Sequence, residues 1–483
     1  MGYDIFISLS GSSRRAFHKA EPEQKGEGRM NIQPDFVREE QLQELSESFR
    51  LHNQIPSDLF TRYRIKRGLR NSDGTGVLVG ATHLGNVHGY ILNEGEREPI
   101  EGRLTYRGYN IYDLIHGLER EDRFGFEEIG YLLMCGDLPT HRQLEEFQHV
   151  IGMERALPDN FTEDMIMRAP SRDIMNKLAS ATLALYSYDS NPDETTVENI
   201  MRQGISLTAK FPVIISHAYQ AKRRYFDGDS MFLHVPDPHR STAENILHLI
   251  RPDGKYTDDE AKLLDRCLIL HAEHGGGNNS TFTVRVTSSS GTDTYSAIAA
   301  AVSSLKGPRH GGANLRVVKQ FEEIKENVKN WKDEGEVRDY LCRILDGAAG
   351  DGSGLIYGMG HAVYTISDPR EVILKQRAKH LAYEKGFEEE YNMLCSIERL
   401  APGIFAEEKG SSKPVCANVD LFSGLIYNML GISEDLYTPL FAIARVPGWC
   451  AHRVEEVIFA NRIIRPAYKY LGVRQKYKPI EER

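Results

Sequence analysis

The chain has 483 residues, of which 40% are hydrophobic and 27% are charged, a composition typical of a globular protein with two or three folding units. Its 59 basic and 69 acidic residues leave a net charge of −10, which argues against a general nucleic-acid binder and implies that a few placed arginines hold any anionic substrate. The six cysteines show neither a close pair nor zinc-ligand spacing, as expected for a cytoplasmic protein, and no apolar run is long enough to span a membrane.

The N-terminal segment, residues 1–35, is predicted to form a polar arm. Its short apolar patch contains Asp4 and is too brief for a signal peptide, and Met30 is an alternative start because strong helical patterning begins soon after it. The first helical pattern, DFVREEQLQELSESFRLH, places four apolar side chains on roughly one face. These are Phe36, Leu42, Leu45 and Phe49.

Strand signals are few along the chain. The clearest lies at residues 89–110, where a turn region from Asn93 to Gly95 predicts a hairpin. Helical periodicity dominates elsewhere, so we predict an all-α protein built of packed helices. Glycine and proline interrupt the pattern near 307–313 and again near 407–418, which indicates two soft boundaries.

The stretch LHAEHGGGNNSTFT, residues 270–283, carries His271 and His274, whose i, i+3 spacing predicts a shared helix face. A metal site that combines both with His310 is an alternative. We disfavour it because the spacing is not that of H-E-x-x-H and no further carboxylate or cysteine ligand is evident nearby, whereas zinc takes several protein ligands.

The stretch GPRHGGAN, residues 307–314, places His310 among glycines at a helix–turn–helix junction. The positive end of the following helix disfavours the imidazolium, and a neutral ring is able to donate a hydrogen bond to a developing oxyanion. By itself, however, a histidine in a glycine-rich turn is most often structural. The apolar helical positions are Ile298, Val302 and Leu305 before the turn, and Leu315, Val318, Phe321 and Ile324 after it.

His361 follows a second glycine cluster, in GSGLIYGMGHAVYTISDPR. After it, Asp368 and Pro369 predict a helix N-cap and the first helical residue. Arg370 then falls in the first turn, where the helix dipole disfavours a cation. Two interpretations of Arg370 remain open, namely a solvated arginine and an arginine that holds an anion at the helix N-terminus.

Three polar residues stand out in the last part of the chain. Asp420 precedes an apolar helix and is either its N-cap or a general base, which would need partial desolvation to raise its pKa. Arg445 interrupts an apolar helical run, where a guanidinium is costly unless a carboxylate of the protein or of a ligand pairs with it. Arg465, before Pro466, is by its local sequence a surface arginine.

Together these stretches form a pattern that runs from about residue 36 to the C-terminus. The pattern resembles the citrate synthase family, including its 2-methylcitrate synthase relatives. The resemblance implies a nearly all-helical fold and an obligate dimer in which a small domain closes over the substrates. It places the large domain at 36–311, the small domain at 312–426 and the return to the large domain at 427–483. The stretches, in order, are IEGRLTYRGYNIYDLI, KFPVIISHAY, LHAEHGGGNNSTFT, GPRHGGAN, GMGHAVYTISDPR, ANVDLFSG and LFAIARVPGWCAH.

The resemblance also implies a reaction, in which an acyltransferase of the tricarboxylic acid cycle condenses acetyl-CoA with oxaloacetate and hydrolyses citryl-CoA to citrate and CoA. Asp420 would remove a proton from the acetyl methyl group while His310 donates a hydrogen bond to the thioester oxygen. His361 would hydrogen-bond the ketone of oxaloacetate and protonate it as the carbon–carbon bond forms. The resemblance implies no metal and no redox cofactor, since acetyl-CoA is a co-substrate.

Further residues are assigned by the same resemblance to substrate binding. His271, Arg370 and Arg445 would bind the carboxylates of oxaloacetate and citrate. Arg465 would reach into the partner subunit's site, and Gly358 would lie against CoA.

Two positions depart from the family pattern. Leu355 and Thr365 stand where many relatives carry basic residues that are associated with holding the CoA phosphates. The resemblance therefore predicts that CoA binds more weakly here or through other basic residues.

Four alternatives remain open at this point. The first is a 2-methylcitrate synthase that uses propionyl-CoA, because one extra methylene changes binding by only about 1–3 kcal/mol. The others are a citrate-cleaving relative, a non-catalytic helical dimer that binds a metabolite, and a metal hydrolase that uses His271, His274 and His310. Asp420, His310 and His361 are all present, which disfavours the non-catalytic dimer.

Overall fold

The computed structural model describes residues 39–71, 74–94, 96–410, 414–459 and 462–482. The predicted arm at 1–35, with Met30, lies outside the described residues, as do Phe36, Gly95 of the hairpin turn and 411–413 of the second soft boundary. The described chain is mostly helical, as predicted. Its α-helices are α1 (Glu39–His52), α2 (Asp58–Arg62), α3 (Ile111–Arg120), α4 (Phe126–Cys135), α5 (His141–Glu154), α6 (Ile174–Leu185), α7 (Val197–Lys222), α8 (Thr242–Ile250), α9 (Asp258–His271), α10 (Asn279–Ser288), α11 (Thr294–Lys306), α12 (Ala313–Asn327), α13 (Glu334–Leu345), α14 (Pro369–Glu384), α15 (Glu388–Lys409), α16 (Asp420–Met429) and α17 (Tyr437–Phe459).

The chain forms two compact units, one up to Gly76 and the other from Val77 onward. The first unit contains α1, α2 and a short 3₁₀ turn, Arg67–Leu69. Helix α1 confirms the first helical pattern, and its apolar side chains Leu42, Leu45 and Phe49 are exposed. The division into domains at 36–311, 312–426 and 427–483 stays a prediction.

A small antiparallel sheet confirms the predicted hairpin. It consists of β1 (Gly85–Asn93), β2 (Glu96–Tyr106) and β3 (Tyr109–Asn110), paired in that order. The register of β1 with β2 runs from Gly85 opposite Tyr106 to Asn93 opposite Glu96. The buried Tyr106 hydroxyl donates a hydrogen bond to the Ile269 carbonyl, 3.0 Å away, and so joins the sheet to helix α9.

The edge of this sheet also supports the segment that precedes helix α14. A Cβ atom on Gly102 would lie 2.1 Å from the Ser367 carbonyl oxygen, so only glycine allows the two backbones to approach so closely. The Gly102 N–H donates to the Ser367 hydroxyl at 3.1 Å. The sheet thus fixes the chain between His361 and Arg370.

The core of the second unit is organised around helix α17. Nearly all of its residues are buried, and it packs against α4, α7, α9, α10 and α11. Proline stands inside both α7 and α17, at Pro212 and Pro447, where the surrounding helices bury the interrupted backbone. In the part of the chain that the structure describes, no helix is both apolar enough and long enough to traverse a bilayer.

Helices α11 and α12 meet at the predicted junction. Helix α11 ends at Lys306 and α12 begins at Ala313, and the predicted apolar face of α11 is buried. In α12 the predicted residues Phe321 and Ile324 are buried, and Leu315 and Val318 are partly buried against the core. Val317, which the pattern did not include, is buried as well. In the connecting turn a Cβ atom on Gly311 would lie 2.3 Å from the Leu305 carbonyl, so the tight turn requires glycine there.

Candidate active site

His310 lies in the turn between α11 and α12, half-buried against the start of α10. The Ser280 backbone N–H donates to Nε2 of the ring at 3.4 Å, and the Ser280 hydroxyl lies 3.0 Å from the same nitrogen. The Trp449 indole N–H in turn donates to that hydroxyl at 3.3 Å. Because an N–H is only a donor, Nε2 acts as the acceptor and the neutral ring carries its proton on Nδ1.

Burial, together with the positive charge of Arg445, lowers the pKa of His310 to about 4. The direction agrees with the neutral ring expected from the sequence. The cause differs, since desolvation of the ring is the largest contribution to the lowered pKa, whereas the expectation rested on the helix dipole. At neutral pH His310 is therefore an uncharged hydrogen-bond donor.

His361 is also fixed in one tautomer. The backbone N–H groups of Val363 and Tyr364 both donate to Nδ1 of the ring at 3.1 Å, so the proton of the neutral ring lies on Nε2. The ring stacks on Tyr364 with 4.6 Å between ring centroids. His361 therefore presents Nε2–H as a donor while its other nitrogen is held by the backbone.

Backbone contacts join the segment before His361 to the segment before Asp420. Asn418 N–H donates to the Gly358 carbonyl at 2.8 Å, and Gly360 N–H donates to the Cys416 carbonyl at 2.7 Å. A Cβ atom on Gly358 would lie 2.9 Å from the Leu421 side chain, and its φ of +82° also favours glycine. This contact gives Gly358 a packing role, and its role in binding CoA stays a prediction.

Asp420 is the first residue of α16, and it does not cap that helix. The Asn418 side-chain oxygen accepts the Asp420 backbone N–H at 3.0 Å, so the N-cap interpretation of Asp420 was wrong. Among the described residues, none donates a hydrogen bond to the Asp420 carboxylate. Burial raises its pKa to about 6, although nearby Arg370 opposes the shift. The carboxylate is thus ionised near neutral pH and more basic than an ordinary aspartate.

Arg370 is buried, so the solvated interpretation was wrong. Its guanidinium pairs with Asp368, with Nε 3.0 Å from Oδ1 and Nη2 2.6 Å from Oδ2. Asp368 is also the N-cap of α14, as predicted, because its carboxylate accepts the Arg370 backbone N–H at 3.0 Å. The protein itself therefore supplies the anion that offsets a cation at this helix N-terminus.

Arg445 is the arginine with the most buried nitrogens lacking a hydrogen-bond partner among the described residues. It is fully buried, and its Nε donates to the His271 carbonyl at 2.6 Å. Within the described ranges neither Nη1 nor Nη2 has a hydrogen-bond partner, and the guanidinium lies 4.8 Å from the centre of the Phe441 ring. Burial lowers the pKa of Arg445 to about 10. A carboxylate of a ligand would satisfy both nitrogens at once.

His271 and His274 both face this group of cations. Burial, followed by the charges of Arg370 and Arg445, holds the pKa of each ring well below its usual range. Each ring keeps one buried nitrogen without a partner among the described atoms, Nδ1 of His271 and Nε2 of His274. His271 stacks on Phe441 at 4.5 Å, and His274 lies edge-on to His361 at 5.1 Å.

The shared helix face predicted for these two histidines was wrong, because α9 ends at His271 and His274 lies beyond it. The sequence did not identify His274 as a neighbour of His361. The available signal was the run of glycines after His274, which indicates that the helix ends before this histidine; Gly275 adopts a φ of +80°. We call Arg445, Arg370, His271, His274 and His361 the Arg445 cluster.

A second polar group lies behind the His274 loop and was also missed. The Glu273 carboxylate accepts hydrogen bonds from the Gly275 N–H at 2.6 Å and from Nε2 of His452 at 2.9 Å. Arg285 donates to Nδ1 of His452 at 3.1 Å and to Glu456 at 2.9 Å, and it also pairs with Glu455. These contacts hold the loop that carries His274. We call Arg285, His452, Glu273, Glu455 and Glu456 the Arg285 network.

Two other predictions have different outcomes. Arg465 is exposed, and the structure does not bring it into the Arg445 cluster. His271, His274 and His310 do not form a group with metal-binding geometry; the one such group among the described residues is on the surface. It consists of Asp259, His380 and Glu384.

The arrangement combines a basic carboxylate, two neutral imidazole donors and two buried cations. Such a set suits the removal of a proton next to a carbonyl group, with a co-substrate held by its carboxylates. The Asp420 carboxylate supplies the base, and His310 and His361 supply donors at Nδ1 and Nε2.

Known proteins similar to this chain agree with that chemistry. The family model "Citrate synthase, C-terminal domain" matches residues 68–467. The citrate synthase of Synechocystis sp. is 35% identical over 384 residues, which is 79% of this chain and 89% of the relative. A 2-methylcitrate synthase of Shewanella oneidensis is 34% identical over 388 residues, 79% of this chain and 92% of the relative.

A solved structure is similar to the chain over most of its length. It is the ternary complex of citrate synthase from Thermoplasma acidophilum with carboxymethyl-coenzyme A and oxaloacetate. The TM-score is 0.69 at 29% sequence identity, and the match covers 84% of this chain and 97% of that one.

Proposed function

The chain belongs to the citrate synthase family, and from that premise we propose that it condenses acetyl-CoA with oxaloacetate and hydrolyses citryl-CoA to citrate and CoA. Arg445 carries the proposal, because a fully buried guanidinium whose two terminal nitrogens lack partners among the described residues needs an anionic ligand. Oxaloacetate, a dicarboxylate with a ketone, meets that need beside His271, His274 and Arg370.

In the first step Asp420 removes a proton from the methyl group of acetyl-CoA. This methyl group is a very weak acid, so the base must act while the thioester oxygen is being stabilised. His310 donates its Nδ1–H to that oxygen, and the loss of one such donor typically lowers kcat by about 10²–10³. The pKa of Asp420, raised to about 6 by burial, makes it a stronger base than a solvated aspartate.

In the second step the enol carbon attacks the ketone of oxaloacetate and forms the new carbon–carbon bond. His361 donates its Nε2–H to the ketone oxygen and transfers the proton as the alkoxide develops. Arg370, Arg445 and His271 bind the carboxylates, and we add His274 to this set because its buried Nε2 lacks a partner in the described part of the chain. Water then attacks the citryl-CoA thioester carbonyl, the carbon–sulfur bond breaks, and citrate and the CoA thiol are released.

We propose a cytoplasmic homodimer in which Arg465 reaches the partner subunit's site. The exposure of Arg465 in the single chain supports this role, since a side chain outside its own cluster is available to a second subunit. The reaction needs no metal and no redox cofactor, and the proposal includes neither nucleic acid nor a membrane as partner.

A 2-methylcitrate synthase that uses propionyl-CoA is the second candidate. The relative from Shewanella oneidensis carries that name at 34% identity, close to the identity of the citrate synthases. The same residues would catalyse both reactions, and the extra methylene changes pocket fit by only about 1–3 kcal/mol.

The test is release of free thiol from acetyl-CoA and from propionyl-CoA, each with and without oxaloacetate and with and without EDTA. We expect thiol release that depends on oxaloacetate and is unaffected by EDTA, with the higher kcat/KM for acetyl-CoA. A higher kcat/KM for propionyl-CoA would establish the second candidate. No oxaloacetate-dependent release from either thioester would overturn both, and loss of activity with EDTA would favour a metal enzyme.

A further inference from the structure

Glu273 is a buried acidic residue that the proposed mechanism does not use. It immediately precedes His274 in the chain, and its side chain is fully buried. Burial alone would raise the pKa of this carboxyl, but His452, Arg445 and the Gly275 N–H lower it below its ordinary value. Glu273 is therefore an ionised carboxylate inside the protein, where a charge is costly unless hydrogen bonds offset its burial.

The Glu273 carboxylate bridges the backbone across His274. Its Oε1 accepts the Gly275 backbone N–H at 2.6 Å, so the side chain before His274 is bonded to the backbone after it. Gly275 adopts a φ of +80°, a left-handed conformation that favours glycine. His274 thus lies inside a short hydrogen-bonded loop, with its ring edge-on to that of His361 and 5.1 Å between the ring centroids.

The same carboxylate oxygen is also fixed by His452. Nε and Nη2 of Arg285 lie 3.1 and 2.8 Å from Nδ1 of His452, so this nitrogen is an acceptor and the ring carries its proton on Nε2. Nε2 then donates to Glu273 Oε1 at 2.9 Å. The series of hydrogen bonds that begins at Arg285 therefore ends at the loop that carries His274.

Two glycines allow the backbone to enclose the carboxylate. A Cβ atom on Gly448 would lie 2.9 Å from Glu273 Oε2, and one on Gly85 would lie 2.8 Å from Oε1. Both distances are too short for a nonbonded contact, so helix α17 and strand β1 come this close only because glycine has no side chain. The packing and the two hydrogen bonds together define one position for the carboxylate.

The cations of the Arg445 cluster have separate support. Arg370 is oriented by its pairing with Asp368, and Nε of Arg445 donates to the His271 carbonyl. Loss of the Glu273 carboxylate should therefore act on the position of the His274 loop.

We propose that Glu273 is a positioning residue that acts through His274. Its carboxylate sets the place of the His274 ring in the oxaloacetate site, and His452 and Arg285 orient that carboxylate. The inference rests on the proposed function, since it concerns the binding of the same oxaloacetate.

The experiment is a double-mutant cycle between Glu273 and His274. We expect Glu273→Ala to raise the KM for oxaloacetate by about tenfold or more, as for the loss of hydrogen bonds to a charged group. The kcat should change less, and the KM for acetyl-CoA should be unchanged. In a His274→Ala background, Glu273→Ala should have no further effect on the KM for oxaloacetate, because the residue that it positions is gone.

Two conservative variants separate the position of the oxygen from its charge. Glu273→Gln removes the charge but keeps an oxygen that accepts from the Gly275 N–H and from His452, so it should recover most of the affinity that alanine loses. Glu273→Asp keeps the charge but withdraws the oxygen by one methylene, so it should share the defect of alanine. It replaces Glu273→Ala in the cycle if the alanine variant does not fold.

Asp265→Ala is the matched control for a purely structural effect. It removes a fully buried carboxylate of helix α9 that accepts two backbone N–H groups, at 2.9 and 3.0 Å. The melting temperature should fall, whereas the KM for oxaloacetate should be unchanged. Circular dichroism measures the melting temperature of every variant.

The outcomes separate this inference from the proposed function. A wild-type KM for oxaloacetate in Glu273→Ala would overturn the positioning role, and so would an undiminished effect of that change in the His274→Ala background. Equal defects in Glu273→Gln and Glu273→Ala would also overturn it, because charge and not position would then matter. If the wild type releases no thiol with oxaloacetate, the proposed function fails, and calorimetric titration with oxaloacetate gives the same cycle without turnover. Absence of oxaloacetate binding to the wild type would overturn both.

Discussion

Two buried arginines at helix α17 differ in whether the protein supplies hydrogen-bond partners for their guanidinium nitrogens. In the Arg285 network, protein carboxylates and His452 engage all the nitrogens of the guanidinium. In the Arg445 cluster, the guanidinium belongs to α17 itself, and its two terminal nitrogens have no partner in the described parts of the chain. Both arginines are at least nine-tenths buried, so exposure to water does not explain the difference.

The difference indicates which polar group serves the fold and which serves a ligand. A buried charge without a partner costs several kcal/mol, and a protein tolerates that cost where binding of a ligand removes it. The Arg285 network is satisfied without a ligand and holds the His274 loop. In the Arg445 cluster, Arg445, His271 and His274 keep buried nitrogens without a partner among the described residues. We therefore expect substrate binding and stability to respond differently to substitutions in the two regions.

The largest expected effect is that of Asp420→Asn, which removes the proposed base next to the Arg445 cluster. We expect kcat to fall by about 10²–10⁴, the usual contribution of general base catalysis. Thermal stability at neutral pH should be equal or higher, because a partly buried charge with a raised pKa is replaced by a neutral side chain. Thiol release and circular dichroism measure the two effects. Asp339→Asn, on the exposed face of α13, is the matched control, and more than a tenth of the wild-type rate in Asp420→Asn would contradict the role as base.

Substitution of Arg285 tests the satisfied region. Arg285→Met leaves the carboxylates of Glu455 and Glu456 without their shared cation in a buried site. We expect the free energy of unfolding to fall by about 3–5 kcal/mol, as when one partner of a buried ion pair is removed. Chemical denaturation measures it. A change below about 1 kcal/mol would mean that water reaches the network and that burial does not govern its strength.

Arg445→Met, the corresponding substitution in the Arg445 cluster, should weaken substrate binding without lowering stability. Arg445→Met removes a buried charge that lacks a partner at its terminal nitrogens, so the stability of the ligand-free protein should be unchanged or higher. The affinity for oxaloacetate should fall by about tenfold to a hundredfold, the value of charged hydrogen bonds to a carboxylate. Calorimetric titration with oxaloacetate gives the affinity. Equal destabilisation by Arg445→Met and Arg285→Met would refute the contrast between the two regions.

The smallest expected effect is the pH dependence of the wild type. Because the carboxylate form of Asp420 is the base and burial raises its pKa to about 6, kcat/KM should fall about tenfold per pH unit below that value. The effect of this pKa on stability has the opposite pH dependence, because stability decreases as the pH rises. The folded chain binds this proton more tightly than the unfolded chain does, so the contribution is fully present below the ordinary pKa of 3.8 and is lost as pH rises through about 6.

A pH–rate profile at saturating oxaloacetate measures the expected fall in kcat/KM at acidic pH. An acidic limb near pH 4, the value of an ordinary aspartate, would show that burial does not perturb the base. Circular dichroism at each pH separates a loss of activity from unfolding.

Much of the fold was predictable because its signals are local. Helix α14 begins where Asp368 and Pro369 predicted, since an N-cap and a proline at the first helical position act within one turn. The turn at His310 and the hairpin between β1 and β2 follow from glycine and proline in the same way. In α12 the buried residue Val317 was missed because several apolar periods fit the segment and only packing selects one.

The candidate site was predictable residue by residue but not as an arrangement. His310, His361, Asp420 and Arg445 were singled out from the residue types and their setting in the sequence. The pairing of Arg370 with Asp368 and the hydrogen bond from the Asp420 backbone N–H to the Asn418 side chain required the structure. His274 was considered only as a metal ligand, because nothing in its local sequence indicates contact with His361, 87 positions along the chain.

The sequence by itself determined the class of fold, the helix ends at glycine and proline, and the identity of the charged residues that must find partners. Only the tertiary structure decided which of them do. Glu273 and His452, which are 179 positions apart, meet as a buried hydrogen-bonded pair, whereas Arg445, also buried, forms no ion pair with a carboxylate of the described chain. Helix ends depend on torsion angles and hydrogen bonds within a few residues, but the partner of a buried charge depends on which distant segments pack together.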